Sequence, residues 1–291
     1  MGRKSTIAML LTPAMLVIAA TSTYPLLFAL NSSFRRWQLS RSPTPGKFIW
    51  FDNYARVLDD RFFINSIQVT ILFTILSVGI TVLLGLGMAL ILQRSSRFNM
   101  FITTLLIFPF AVSPALKGYT FRFMLNNEYG ILDQILDFIF PFAADLVWLA
   151  DSFWALFWLS ITETYGWAPL IALMFIGALN AIPSDIFESA KVEGASNWQL
   201  FRHITLPLLS PVIVIATLLK TIFSFKMFDQ VVTMTGGGPG RATQTLNHYV
   251  YHTAFVTLDM GYASALSYVL IIAMSIFAYF YVRALYGKGG V

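Results

Sequence analysis

Six stretches of this 291-residue chain contain no charged side chain: 7–30, 62–93, 98–116, 164–184, 203–219 and 260–282. A hydrocarbon core about 30 Å thick takes roughly 20 apolar residues of helix at ~1.5 Å rise each to cross. Each stretch meets that length or nearly so. The runs are continuous rather than alternating, which selects helices over a barrel. The fourth extends backward through Trp154 and Trp158 to residue 152 with Glu163 as its only charge. The fifth extends forward to residue 235, interrupted by Lys220, Lys226 and Asp229. The expected fold class is therefore an all-α membrane protein with six transmembrane helices.

Composition excludes the alternatives. Only 11% of residues are charged and the mean hydropathy is +0.71, whereas soluble domains carry about a quarter charged residues. An aromatic share of 16% without low-complexity repeats argues against disorder. The net charge of +5 is a modest excess that reflects a membrane surface rather than nucleic acid. With no cysteine, disulfides, thiolate zinc sites and cysteine nucleophiles are ruled out. The first run follows Arg3 and Lys4 as a signal peptide would, but it is too long for an h-region and more spans follow. It reads as an uncleaved helix. Met1-Gly2 with Thr6 fits a myristoylation pattern, from which a chain held by six helices gains nothing.

An even number of spans places both termini on one side. The Lys and Arg of the loops and the two termini divide eight to nine between the two faces, so the positive-inside rule leaves orientation open. Within the 117–151 loop, apolar residues over 131–139 recur at helical spacing, with Asp133 and Asp137 one turn apart. This predicts a short amphipathic helix at the interface or capping the bundle, and Trp148 fits an interfacial aromatic anchor.

Between the fourth and fifth spans, residues 182–211 mix polar and apolar positions on both sides of Gly194. Ser184 is placed to cap a first short helix that carries Glu188, and Gly194 supplies a turn. Phe201, Ile204 and Leu206 lead into the next span, whose start is marked by Pro207 and Pro211. From the residues alone this is either a compact helix–turn–helix on one membrane face or an ordinary interfacial loop.

The run Glu188-Ser189-Ala190-x-x-Glu193-Gly194-Ala195, with Ile204-x-Leu206-Pro207 beginning nine residues later, resembles the EAA signature of binding-protein-dependent ABC importer permeases. Ser189 stands where that signature has its middle alanine, and Glu193 where it has aspartate. Phe228-Asp229 followed by Thr235-Gly236-Gly237-Gly238-Pro239-Gly240-x-Ala242-Thr243 resembles the sugar-permease branch, as do Asn126 to Leu132 and Phe108-Pro109 with Pro114. The resemblance covers almost the whole chain. It implies a type I ABC importer permease fold whose loop 183–207 carries a cytoplasmic coupling helix seated in a cleft of an ATPase subunit. Glu188, Ala190, Glu193, Gly194, Ala195, Ile204, Leu206 and Pro207 would form that coupling element.

It further implies a bacterial inner (plasma) membrane location with both termini cytoplasmic. The implied partners are a second homologous permease, an ABC ATPase dimer, an extracytoplasmic solute-binding protein and membrane lipid, with no nucleic acid. The chain itself would bind no cofactor, and ATP with magnesium would belong to the ATPase. Residues 1–61 are expected to hold the first helix and an external segment, 62–286 the translocation core, and 287–291 a cytoplasmic tail.

Ionisable groups inside spans are costly and face a bundle interior or a water-filled path. Lys220 lies 13 residues past Pro207, and Glu163 lies about 11 residues into the fourth span from the opposite face. At helical rise both fall near mid-membrane depth, so a Glu163–Lys220 pair is expected. Lys226 and Asp229, i and i+3, are placed to pair on one helix face. These charges either neutralise one another or line a solute path, with Tyr165 and Trp167 supplying aromatic faces. Two lysines near such a path would favour an anionic sugar derivative.

Three other signals carry little. His248 and His252 have one-turn spacing but no third ligand. The glycine run 236–240 lacks the Gly-Lys-Ser/Thr of a phosphate loop, so no ATP site is expected on this chain. No nucleophile–base set marks it as an enzyme. An ion-coupled secondary transporter is the alternative, and it predicts inverted internal repeats that the two halves do not display.

Overall fold

The computed structural model describes residues 3–93, 96–141 and 146–286. The 287–291 tail, Met1-Gly2 and Arg94 lie outside the described residues. Helices dominate: α1 (Arg3–Ile18) runs through a π-helical turn into α2 (Tyr24–Ser33), followed by α3 (Asp52–Asp59) and α4 (Arg61–Leu92). Then come α5 (Arg97–Leu105), α6 (Ile107–Ala111), α7 (Pro114–Met124), α8 (Ile131–Ile139) and α9 (Ser152–Asn180). The rest are α10 (Ser184–Val192), α11 (Asn197–Leu200), α12 (Leu206–Phe225), α13 (Leu246–Tyr251) and α14 (Met260–Tyr286).

Among the described residues, five helical segments are long and apolar enough to cross a membrane: Met9–Ser33, Arg61–Leu92, Ser152–Asn180, Asn197–Phe225 and Met260–Tyr279. A pair of segments, Arg97–Ala111 and Pro114–Met124, is bent by 95° and, counted as one span, makes the sixth. The expected all-α fold with six transmembrane helices is what the chain forms, with one change. The third span is not a straight helix over 98–116, and 117–124 is not loop. Pro114 excludes the α conformation from the residue before it, so Ser113 turns extended (φ −55°, ψ 137°) and α7 restarts with proline in its first turn. Hydropathy is blind to that break.

Two packed units divide the chain: Met1–Phe63 with Tyr249–Gly290, and Ile64–His248. In the first, α14 passes so close to the segment after α2 that a Cβ on Gly261 would sit 2.3 Å from the Arg35 carbonyl oxygen. Asp60 caps α4 by accepting the N–H groups of Phe62 and Phe63, while its other oxygen accepts the hydroxyls of Tyr249 and Tyr262. Arg56 pairs with Asp259 at 2.8 Å and lies over the Tyr262 ring.

In the second unit α9 is the axis: 61% of its most apolar window is buried, against 28% for α4. Asp151 starts it by accepting the N–H groups of Phe153 and Trp154. α4 meets α9 closely at Gly85, where a Cβ would lie 2.8 Å from Ile171. Its outward face is apolar and exposed, with Leu72, Ile75, Leu83 and Ile91, as a lipid-facing helix requires. Its inward face carries Ser66, Thr70, Thr74, Ser77 and Thr81, all buried, at intervals of four, four, three and four residues. Thr70 accepts the Leu246 amide and Thr81 meets Thr164 at 3.0 Å. Small hydroxyls of this kind let helices approach and hydrogen-bond across them in lipid.

Two local expectations are corrected. Trp148 is not an interfacial anchor: it is 3% exposed and packs edge-on against Trp154 and Trp158 inside the core that α8 helps to cover. The amphipathic helix over 131–139 forms as expected. The fifth span does not reach residue 235. α12 stops at Phe225, Lys226 caps it at φ −88°, ψ 5°, and helical geometry resumes as a π-helical turn over Val231–Thr235.

Candidate functional site

The elbow joining α9 to α12 is organised around Gly194. α10 ends at Val192 and Gly194 adopts φ +85°, a left-handed conformation open to glycine at little cost. The Gly194 amide donates to the Lys191 carbonyl and the Ala195 amide to the Ala190 carbonyl, both at 3.0 Å. This crossed pair is a Schellman closure of the helix C-terminus, and it gives the spacing Ala190-x-x-Glu193-Gly194-Ala195 a backbone reason. A capping box follows at once: Ser196 accepts the Gln199 amide, and the Gln199 side chain accepts the Ser196 amide. α11 then passes through the π-helical turn Phe201–Thr205, which holds Ile204, into α12, where Leu206 is the first residue and Pro207 lies in the first turn.

Ser184 does not cap α10. Pro183 occupies the cap position without a side-chain bond, and Ser184 is the first helical residue. Glu188 and Glu193 are exposed, as are Val192 (89%) and Trp198 (65%), with Trp198 packed on Phe201. The elbow therefore presents the carboxylates of Glu188 and Glu193 and the apolar side chains of Val192 and Trp198, among others, on a rigid backbone.

The second centre lies where α4, α9 and α12 meet. Glu163 Oε1 accepts from Lys220 Nζ at 2.9 Å, with Glu163 5% and Lys220 0% exposed. Lys220 also donates to Ser77 Oγ at 2.8 Å and Ser224 Oγ at 3.0 Å, which takes all three of its N–H bonds. Ser77 in turn donates to Glu163 Oε2 at 2.9 Å. A buried ion pair survives only when its remaining donors and acceptors are satisfied in this way.

Beside this centre opens a cavity of about 330 Å³, lined among others by Lys117, Glu163, Trp167, Lys226 and Asp229. Small-molecule sites start at roughly 300 Å³. Trp167 is flanked by Phe110 at 5.5 Å and Phe223 at 4.6 Å, and its ring stands 5.7 Å from Lys220 Nζ. Of the side chains expected on a solute path, Glu163, Trp167, Lys226 and Asp229 reach this cavity. Lys220 stands behind Glu163, and Tyr165 packs on Phe121 at 5.7 Å instead. Lys226 and Asp229 do not share a helix face, because α12 has ended. Among the described residues the ion pairs within 4 Å are Arg56–Asp259 and Glu163–Lys220.

Sequence reading passed over Lys117, leaving it in the 117–151 loop. It also missed Ser77 and Ser224; the helical spacing of the Ser/Thr stripe on α4 was the available signal. The glycine run resolves into backbone geometry: Gly236, Gly237 and Gly240 all have positive φ, and Thr243 ties the loop by bonding Thr235 and the Gly238 carbonyl. His248 is buried with its ring where a Cβ on Gly237 would fall.

Comparison with known proteins places this architecture. Residues 81–288 match the family described as binding-protein-dependent transport system inner membrane component. The chain is 33% identical over 270 residues, 93% of its length and 87% of the relative's, to the sulfoquinovosyl glycerol transport system permease protein SmoG of Agrobacterium fabrum. It is 34% identical over 233 residues to the trehalose/maltose transport system permease protein MalF of Thermococcus litoralis, covering 79% of this chain and 78% of that one. Among solved structures it superposes on a chain of a bacterial ABC transporter involved in import of the acidic polysaccharide alginate, with a TM-score of 0.83. That match has 17% identity and covers 99% of this chain and 97% of the other. A second structure of a bacterial alginate transporter, in complex with an alginate pentasaccharide-bound periplasmic protein, gives a TM-score of 0.82.

Proposed function

This chain belongs to the binding-protein-dependent transport system inner membrane components, and we propose that it is the permease subunit of an ATP-driven importer for a carbohydrate solute. Relatives named for sulfoquinovosyl glycerol and for trehalose and maltose support the solute class. The observation that carries the reading is the elbow. A Schellman turn and a capping box fix α10 and α11 rigidly while Glu188, Glu193, Val192 and Trp198 stay exposed. A surface of that kind, placed between two membrane helices, is suited to receive a push from a separate subunit.

In this mechanism Glu188, Ala190, Glu193, Gly194, Ala195, Ile204, Leu206 and Pro207 couple an ATPase dimer to α9 and α12. Closure of the ATPases around ATP and magnesium, which belong to that partner, displaces α10 and rocks the bundle between inward- and outward-facing states. ATP supplies the differential binding between those states, and the permease transmits it. A second, homologous permease completes the path, an external binding protein delivers the solute, and both termini face the cytoplasm. The translocation core is assigned to residues 62–286.

On the path, Trp167 offers its face to the C–H side of a sugar ring, while Glu163, Lys226 and Asp229 supply convergent polar groups. Lys220 acts through Glu163, holding it in place. The test is uptake of radiolabelled sugars by cells lacking the gene and complemented with wild type or with Glu188→Arg. Wild type restores uptake, while Glu188→Arg assembles but neither imports nor stimulates ATP hydrolysis. Undiminished import by Glu188→Arg would overturn the assignment of the elbow.

A further inference from the structure

Among the described residues, Lys117 is the one buried cation lining the cavity, and it stands outside the ion pairs. It is 5% exposed, lines the 330 Å³ cavity and has neither a hydrogen bond nor an ion pair through its ammonium group. Its end lies across α9 at Gly166, where a Cβ would stand 2.2 Å from Nζ. Glycine at 166 therefore opens the groove through which the ammonium reaches the cavity. The side chain is buried but the ammonium opens onto the cavity, where an anionic group arriving with the solute would complete its hydrogen bonds.

The neighbouring carboxylates do not fill that role. Glu163 attracts the Lys117 ammonium without bonding it, because its two oxygens already accept from Lys220 and Ser77. Asp229 is exposed, as is Lys226, so water is open to both at the rim of the cavity. Counting Lys220, three cations face two anions around the cavity: Lys117, Lys220 and Lys226 against Glu163 and Asp229. One positive charge is left over, and Lys117 is the buried group that carries it. Next to it the aromatic group of Trp167, Phe110 and Phe223 provides an apolar wall.

We propose that Lys117 is the specificity-determining residue of this cavity, selecting carbohydrates that carry an anionic group (carboxylate, sulfate or sulfonate). The ammonium binds the anion while the sugar ring lies against Trp167. The proposal rests on the carbohydrate-importer reading above and adds the charge of the solute.

The test measures binding to the purified importer, without its binding protein, by quenching of tryptophan fluorescence. Probes are matched pairs: methyl glucoside with methyl glucuronide, glucose with glucose 6-sulfate, and cellobiose with cellobiouronate. Losing a charge-assisted hydrogen bond to a buried group corresponds to about a tenfold to hundredfold change in affinity. Wild type is expected to prefer the anionic member of at least one pair by about that factor. Lys117→Gln should bring the ratio near one, Lys117→Arg should keep it, and Lys117→Glu should turn the preference toward glucosamine. The pair that responds separates carboxylate from sulfate recognition.

An equal preference in wild type and Lys117→Gln overturns the assignment. Neutral sugars binding wild type as tightly as anionic ones overturns it too, while leaving the carbohydrate path standing. Failure of every sugar to bind wild type removes the carbohydrate reading and this inference together.

Discussion

Breaking one half of the Glu163–Lys220 pair should cost far more than removing both halves. At 2.9 Å the gross attraction of two unit charges is about 6 kcal/mol at an effective dielectric constant of 20, and burial at 0–5% exposure sets a desolvation penalty of several kcal/mol per ion against it. Glu163→Gln keeps the shape and an oxygen that can still accept from Lys220, but leaves the ammonium with neutral acceptors only, that oxygen and the Ser77 and Ser224 hydroxyls. The expected cost is about 3–5 kcal/mol. Lys220→Met leaves a carboxylate that still accepts from Ser77 and borders the cavity holding Lys117, so its cost falls at the lower end of that range. The double variant carries no buried charge at this point and should lie within about 1 kcal/mol of wild type. The assay is a double-mutant cycle on the purified importer, unfolded by detergent titration and followed by tryptophan fluorescence. Uptake should be impaired in both single variants while the ATPase subunits stay bound. Additive costs, or single variants within 1 kcal/mol of wild type, would refute the reasoning that the pair is held by mutual neutralisation.

Three further outcomes test other parts of the structure. Gly166→Ala places a methyl group 2.2 Å from Lys117 Nζ; because the clash is with the end of a flexible side chain, thermal stability should change little while the anion preference falls as in Lys117→Gln, read by the same binding assay. Gly194→Val forces a β-branched residue into φ +85°, at a cost of about 1–2 kcal/mol, and should lower solute-stimulated ATP hydrolysis by distorting the elbow. For Asp60, burial pushes the pKa up, but hydrogen bonds from Tyr249, Tyr262 and the Phe62 and Phe63 amides outweigh it and hold it below the ordinary 3.8. Its contribution to stability is therefore complete above about pH 4 and is lost as pH falls from 3.8 through the lower native value. Thermal melts between pH 6 and pH 3 should show that added acid sensitivity in wild type and not in Asp60→Asn.

The helical membrane fold was legible because uncharged runs of about 20 residues have few other structures open to them. The boundaries were less so, since hydropathy sums over a window while Pro114 acts at one peptide bond to bend the third span by 95°. The same blindness extended the fifth span past Phe225 into a segment that is apolar enough but capped by Lys226. Glu163 and Lys220 were found because helical rise puts them at one depth from opposite faces, and their contact is direct. Lys117 escaped because its place depends on two things that sequence spacing does not carry: the bend that turns α7 inward at Ser113, and the missing side chain at Gly166 that lets a lysine from α7 cross α9. One is made by the Pro114 ring, which crowds the residue before it, and the other by the Cβ that Gly166 lacks. A charge count along the chain locates buried cations, but only the backbone that proline and glycine permit decides which of them meets a carboxylate and which faces an open cavity.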